Sequence, residues 1–234
     1  MDDAMRGRGV KRAAGSKVTV LLAKMYADLE VARRGNVLAR DMPQNISELI
    51  LAYLNRINSL PGTQQLLSNM ELHVAAQQVA WACVRRTFKP GMADRPTIAK
   101  LLGEKGNASL DYLEQRLGLI HAVGLAREQV RFALDPLAEQ LAAMHLAGLC
   151  GTDDGPWRKQ LAAFDAAEGG LSDIAGFMKA LRNCCEDMLV SKSVPAWLPD
   201  ELENRIPKSR VELAAQLLPG NSLRELRGAK AQAQ

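Results

Sequence analysis

The stretch Leu119-Ile-His-Ala-Val-Gly-Leu-Ala-Arg-Glu-Gln-Val-Arg-Phe-Ala-Leu-Asp-Pro136 decides the fold of this chain. Residues 119–123 and 130–134 are two short strand-like runs about a glycine-led turn at Gly124, with Ile120, Ala122, Val130 and Phe132 as candidates for the buried face. Asp135-Pro136 then opens a helix, with the carboxylate in the N-cap role and the proline at the first helical position, where no N–H is needed. Upstream, apolar spacing predicts a long helix over 66–88, with Leu72, Ala76, Val79 and Cys83 on one face. A short helix near 97–103 follows Pro96, and a third spans 108–117. Three helices followed by a β-hairpin is the order of a winged helix.

Helices extend in both directions from this core. On the N-terminal side, Val18, Leu22, Met25 and Leu29 predict a helix over 18–34. Asn45-Ile46-Ser47-Glu48 then offers a capping-box-like start for a second, along which Ile46, Leu49, Ile50, Tyr53, Leu54 and Ile57 form an amphipathic stripe that Pro61-Gly62 ends. On the other side, Leu137, Leu141 and Met144 carry a helix to 149, and Gly151-Thr-Asp-Asp-Gly-Pro156 reads as a linker. Beyond it, short helices at 157–166 and 199–217 flank a longer one at 172–190.

The expected fold class is therefore mainly α: a helical segment, a winged helix, then a C-terminal helical bundle or irregular helical-repeat segment. The corresponding organisation is a basic, disordered arm at 1–17, a helical segment at 18–63, a winged-helix-like domain at 64–150, a C-terminal helical domain at 151–223 and a flexible tail at 224–234.

Composition agrees. A chain of 234 residues can bury roughly 70% of its unfolded surface. Its 47% hydrophobic and 24% charged content is ordinary for a globular protein, while only 4% aromatic residues suit packed helices better than a sandwich or barrel. Of the net charge of +4, residues 1–17 supply +3, so the body is nearly neutral. No run approaches the roughly 18 apolar residues of a membrane span, and no apolar run follows the basic head, so the expected location is the cytoplasm and no membrane partner is expected. Cys83, Cys150, Cys184 and Cys185 form no C-x-x-C pair and read as reduced thiols, and Trp81, Trp157 and Trp197 read as core.

Local catalytic signatures are lacking. Gly9 to Lys17 contains glycines, a serine and a lysine, but in the order Gly-Ser-Lys with no preceding strand, so it is no phosphate-binding loop. There is no Gly-x-Ser-x-Gly elbow, and Asp153-Asp154 lies in the expected linker. An enzyme assembled from scattered residues such as His121, Cys83 and Asp135 would need them to converge in a polar pocket. The winged helix also raises DNA binding. Its third helix, however, reads Ala-Ser-Leu-Asp-Tyr-Leu-Glu-Gln-Arg-Leu, with two acids and one base, and the wing bases His121, Arg127 and Arg131 are offset by Glu128. Specific duplex readout is disfavoured, and the alternative of a winged-helix transcriptional regulator rests mostly on the basic arm.

The segment Val130-Arg-Phe-Ala-Leu-Asp-Pro-Leu-Ala-Glu-Gln-Leu-Ala-Ala143 resembles the end of the winged-helix region in bacterial NACHT-domain proteins, members of the STAND class of signal-transduction ATPases. Leu21-Leu-Ala-Lys-Met-Tyr-Ala27, Ile46-Ser-Glu-Leu-Ile-Leu-Ala-Tyr-Leu-Asn55, Ala75-Ala-Gln-Gln-Val-Ala-Trp81 and Leu110-Asp-Tyr-Leu-Glu-Gln-Arg-Leu-Gly-Leu-Ile120 follow in the same order as in that family. The likeness spans residues 18–150, with a weaker continuation to 206.

The resemblance implies a regulatory and protein-interaction segment without catalysis of its own. Its expected partner is a NACHT nucleotide-binding domain, in cis or in trans, with homo-oligomers on activation. ATP or ADP and Mg would then reside on an upstream nucleotide-binding domain, and no cofactor in this chain. Where relatives often carry a nucleotide-sensing histidine, two positions after the strand phenylalanine, this chain has Leu134, which cannot hydrogen-bond a phosphate. The residues expected to make interdomain contacts are His121, Arg131, Asp135 and Glu139, the last matching the family's helix glutamate.

Overall fold

The computed structural model describes residues 20–34, 43–60 and 65–207. The expected basic arm and C-terminal tail, and the Pro61-Gly62 stop, lie outside them. The described residues are mainly helical, with one small antiparallel sheet.

Helix α1 (Val20–Arg34) turns Met25 and Tyr26 inward against α2 (Ile46–Asn58). The start of α2 is fixed reciprocally. Asn45 Oδ1 accepts the Glu48 N–H at 2.8 Å, and the Glu48 carboxylate accepts the Gln44 N–H at 2.7 Å. At its other end Asn58, fully buried, donates its amide to the Leu67 carbonyl (3.0 Å) and to Asn69 Oδ1 (2.9 Å), and accepts the Tyr112 hydroxyl at 2.7 Å. One side chain thus fastens α2 to the winged helix.

That unit follows in chain order. Helix α3 (Asn69–Val84) begins with a full capping box between Ser68 and Glu71 and is buried on several sides, against α6 above all. A turn then leads through Phe88 to a short strand β1 (Met92–Asp94), which the sequence pattern did not show. Asp94 caps α4 (Arg95–Leu101) by accepting the Thr97 N–H at 2.8 Å. Helix α5 (Gly106–Asp111) passes into a π turn at Tyr112–Arg116. Strands β2 (Ile120–Val123) and β3 (Gln129–Phe132) pair with Ile120 opposite Phe132 and His121 opposite Arg131. Met92 of β1 also lies opposite Arg131, so the sheet order is β1-β3-β2. Helix, strand, two helices and hairpin in that order make a winged helix. Of the residues expected on its buried face, Ile120, Val130 and Phe132 are buried and Ala122 is half-buried.

The chain continues as α6 (Asp135–Cys150), α7 (Asp154–Asp165), α8 (Ala175–Leu189) and α9 (Leu198–Arg205). Three expectations are corrected here. Asp135 is not the N-cap of α6: extended Leu134 (φ −133°) takes that place, Asp135 is already helical, and no side-chain cap is made. Gly151–Pro156 is a capped turn rather than a linker. Asp153 Oδ1 accepts the Gly155 N–H at 2.9 Å, and Trp157, fully buried, donates its indole N–H to the Gly151 carbonyl at 2.8 Å. Finally, α9 stops at Arg205, because Ile206 is extended and Pro207 follows it; the rest of the expected 199–217 helix lies outside the described residues.

One hydrophobic cluster runs from Met25 to Ile206. At its centre Phe88 meets Phe164 of α7 edge-on at 4.8 Å and lies parallel to Phe177 of α8 at 6.2 Å, while Trp81 of α3 sits 6.3 Å from Phe177. Phe88 holds this place with φ at 54°, a left-handed conformation that costs a non-glycine residue about 1–2 kcal/mol. Burial of the ring offsets that cost.

Two stability tests follow from these contacts. Phe164→Ala empties the centre of the aromatic cluster and costs about 3–5 kcal/mol in chemical unfolding. Asn58→Ala strands the Tyr112 hydroxyl and the Leu67 carbonyl at a cost of about 2–3 kcal/mol, whereas Tyr112→Phe, which removes one bond, costs about 1 kcal/mol.

Candidate interaction surface

Strand alternation places Val130 and Phe132 under the sheet and Arg131 on its outer face. Because Arg131 is opposite both Met92 and His121, the three exposed side chains form a row across all three strands. The row continues onto the next element. The Arg131 guanidinium donates to both carboxylate oxygens of Asp135, at 3.2 and 3.3 Å, and Leu134 beside it is 44% exposed. Three of the four residues expected to make interdomain contacts therefore share one surface, flanked by the apolar side chains of Met92 and Leu134.

Glu139 is elsewhere. It lies on α6 with its carboxylate against Gly176 of α8, where a built Cβ would collide with it, so it supports an internal helix contact. Burial first, and the neighbouring Asp135 second, raise its carboxyl to about 7.

The residues of the imagined enzyme do not converge. Cys83 is buried beneath the sheet, where its thiol points at the Val130 carbonyl and burial pushes it up to about 12, while His121 is on the opposite face. Among the described residues no group of three His, Cys, Asp or Glu side chains could hold a metal ion. No described helix is long and apolar enough to cross a membrane.

The face that a DNA-binding winged helix would present is electrostatically occupied. Glu114, in the π turn, accepts Arg95 Nη1 at 3.0 Å and Arg127 Nη2 at 2.6 Å, and also takes the Ala122 N–H of β2 at 3.0 Å. Arg95 donates a second bond to Asp111 at 2.7 Å. Burial pushes the Glu114 carboxyl up, but the Ala122 N–H and the two arginines outweigh it and hold the carboxyl below its ordinary range. The groove between α4 and the wing, about 510 Å³, mixes Arg95, Lys100 and Arg127 with Glu104 and Glu128. Such a surface offers a phosphate backbone as much repulsion as attraction. This strap was not foreseen. Glu114, Arg95 and Arg127 are far apart in sequence, and only the π turn aims Glu114 at the wing.

Removing the strap tests its role. Glu114→Ala lowers unfolding stability by about 1–2 kcal/mol near neutral pH. Because the native carboxyl is held low, its contribution is complete above about pH 5 and is lost as pH falls from the ordinary carboxylate value through the lower native one, so the variant shows a shallower acid decline. Compared with models of protein families, with curated proteins and with solved structures, the chain finds no match.

Proposed function

We propose that this chain is a non-catalytic regulatory and protein-interaction segment of a NACHT-type STAND signalling ATPase, and that it packs its outer sheet face against a nucleotide-binding domain in cis or in trans. The observation that carries this reading is the continuous exposed row Met92, Arg131 and His121, extended by Leu134 and Asp135. It combines apolar area with a charge pair that a partner can reorganise, as protein interfaces do. The pairing of Arg95 and Arg127 with Glu114 favours a protein over a nucleic acid as the partner. The order of family-like segments from residue 18 to 150 supports the family part of this reading. ATP or ADP and Mg belong, in this reading, to the partner domain.

The test is capture of the nucleotide-binding partner from native lysate by the full chain, before and after Arg131→Glu. Arg131→Glu opposes Asp135 with a like charge on the same face. The expected result is recovery of a P-loop-containing polypeptide by the native chain and at least a tenfold loss with the variant, corresponding to about 1.4 kcal/mol or more. Recovery of DNA alone, weakening steeply with salt and lost on deletion of residues 1–17, would replace this reading with that of a transcriptional regulator.

A further inference from the structure

A second groove, about 450 Å³ in volume, runs along the first turns of α3 and is bounded on its other side by the chain that joins α4 to α5. Its walls are largely apolar. Leu67 and Ala75 are buried and Leu102 half-buried, while Met70 is 77% and Val74 50% exposed above them. The rim carries two carboxylates, Glu71 and Glu104, against one ammonium, Lys105. From Met70 to Gln78 the groove follows α3 for eight residues, about 12 Å. Exposed Met70 and Val74, on a helix otherwise buried on several sides, make this a face that a second apolar surface can cover.

The chain itself supplies an element of matching length and chemistry. Of the four stretches outside the described residues, only 208–234 repeats leucine at helical spacing. In Lys208-Ser-Arg-Val-Glu-Leu-Ala-Ala-Gln-Leu-Leu218, the residues Val211, Ala214, Ala215 and Leu218 recur at i, i+3, i+4 and i+7, with Leu213 and Leu217 beside them. As a helix, Val211 to Leu218 covers about 10 Å. Its two bases, Lys208 and Arg210, against one acid, Glu212, complement the charge of the rim.

Connectivity decides whose groove this stripe enters. It follows α9, which packs on α8; α8 packs on α6, and α6 on α3. Three successive interhelix spacings of about 8–10 Å thus lie between α9 and α3, and the groove is lined by α3 and the α4–α5 chain without α6, α8 or α9. Pro207 to Val211 spans at most about 14 Å. The stripe of one chain therefore falls short of its own groove and is available to that of another.

We infer that the groove along α3 is the docking site for residues 211–218 of a second copy of this chain, which lie in it as an amphipathic helix. The contact is heterologous, because groove and stripe are different parts of the sequence. A chain that has lost one of them still offers the other. The row Met92, Arg131 and His121 lies outside this groove, so the inference stands or falls separately from the sheet face.

The experiment is sedimentation of the full chain over a wide range of concentration, as the native sequence and as variants. Val74→Glu places a charge in the groove at a half-exposed position, and Leu218→Glu places one in the stripe. The native chain is expected to gain mass reversibly with concentration, and each variant to associate about tenfold more weakly or less still. An equimolar mixture of the two variants restores association and stops at two chains, because Val74→Glu keeps its stripe and Leu218→Glu its groove. Val190→Glu, a like change at a 91% exposed residue outside the groove, leaves the native association intact. A native chain that stays monomeric at every concentration overturns the inference, as does association that survives either groove or stripe substitution, or a mixture that stays monomeric. If Val74→Glu loses helical circular dichroism, Met70→Glu, at the more exposed position, takes its place in the same comparison.

Discussion

The contact between Phe88 and the rings of Phe164 and Phe177 is the constraint on which the rest of the molecule depends. Phe88 occupies the turn between α3 and β1, so the backbone bend that starts the sheet is the same one that inserts a ring between α7 and α8. The Gly91 N–H closes this bend on the Cys83 carbonyl at 3.1 Å. From there the order propagates outward. Strand β1 pairs with β3, β3 pairs with β2, and their register sets Met92, Arg131 and His121 side by side. The exposed row thus lies on the side of the sheet away from Cys83 of α3, whose thiol points at the Val130 carbonyl beneath it.

Electrostatics then decide what kind of surface the winged helix can be. The topology is shared with proteins that read duplexes, but topology does not carry function. Here the arginines beside the third helix satisfy Glu114 and Asp111 within the fold, whereas the Arg131–Asp135 pair lies in the open, with half of each side chain exposed. Within that network the Arg95–Glu114 pair is largely covered and specifies geometry, while its outer members Asp111 and Arg127 are as open as the Arg131–Asp135 pair; an exposed pair is cheap to rearrange when a partner arrives.

Much of this was legible in the sequence, for identifiable reasons. The capped start at Asn45 and the hairpin about Gly124 carry local signals, because a side-chain cap and a positive-φ glycine (φ 92°) are chemical requirements. Strand β1 has three residues, too few for a period-2 pattern, and it exists only because β3 is available to pair with it. The π turn is invisible for a similar reason: it shifts the register of one helix to satisfy Tyr112 against Asn58 and Glu114 against the wing, both long-range demands. The placing of Asp135 erred by one residue, since Asp-Pro fits either the cap or the first turn. Of the four expected contact residues, His121, Arg131 and Asp135 share a face because strand register is local. Glu139 went inward because α8, distant in sequence, covers it.

Gly176 under Glu139 belongs to a recurring arrangement. Gly124 is covered by the Glu128 carboxylate and Gly169 by that of Asp173, so that in all three places an acid fills the space a β-carbon would need. Each colliding atom is the end of a flexible side chain, so a β-carbon gained at the glycine displaces the carboxylate by rotation and leaves the backbone in place. Gly124 and Gly169 are further restricted by positive φ (92° and 84°), which leaves position 176 as the one where a side chain enters at the cost of a single rotated glutamate.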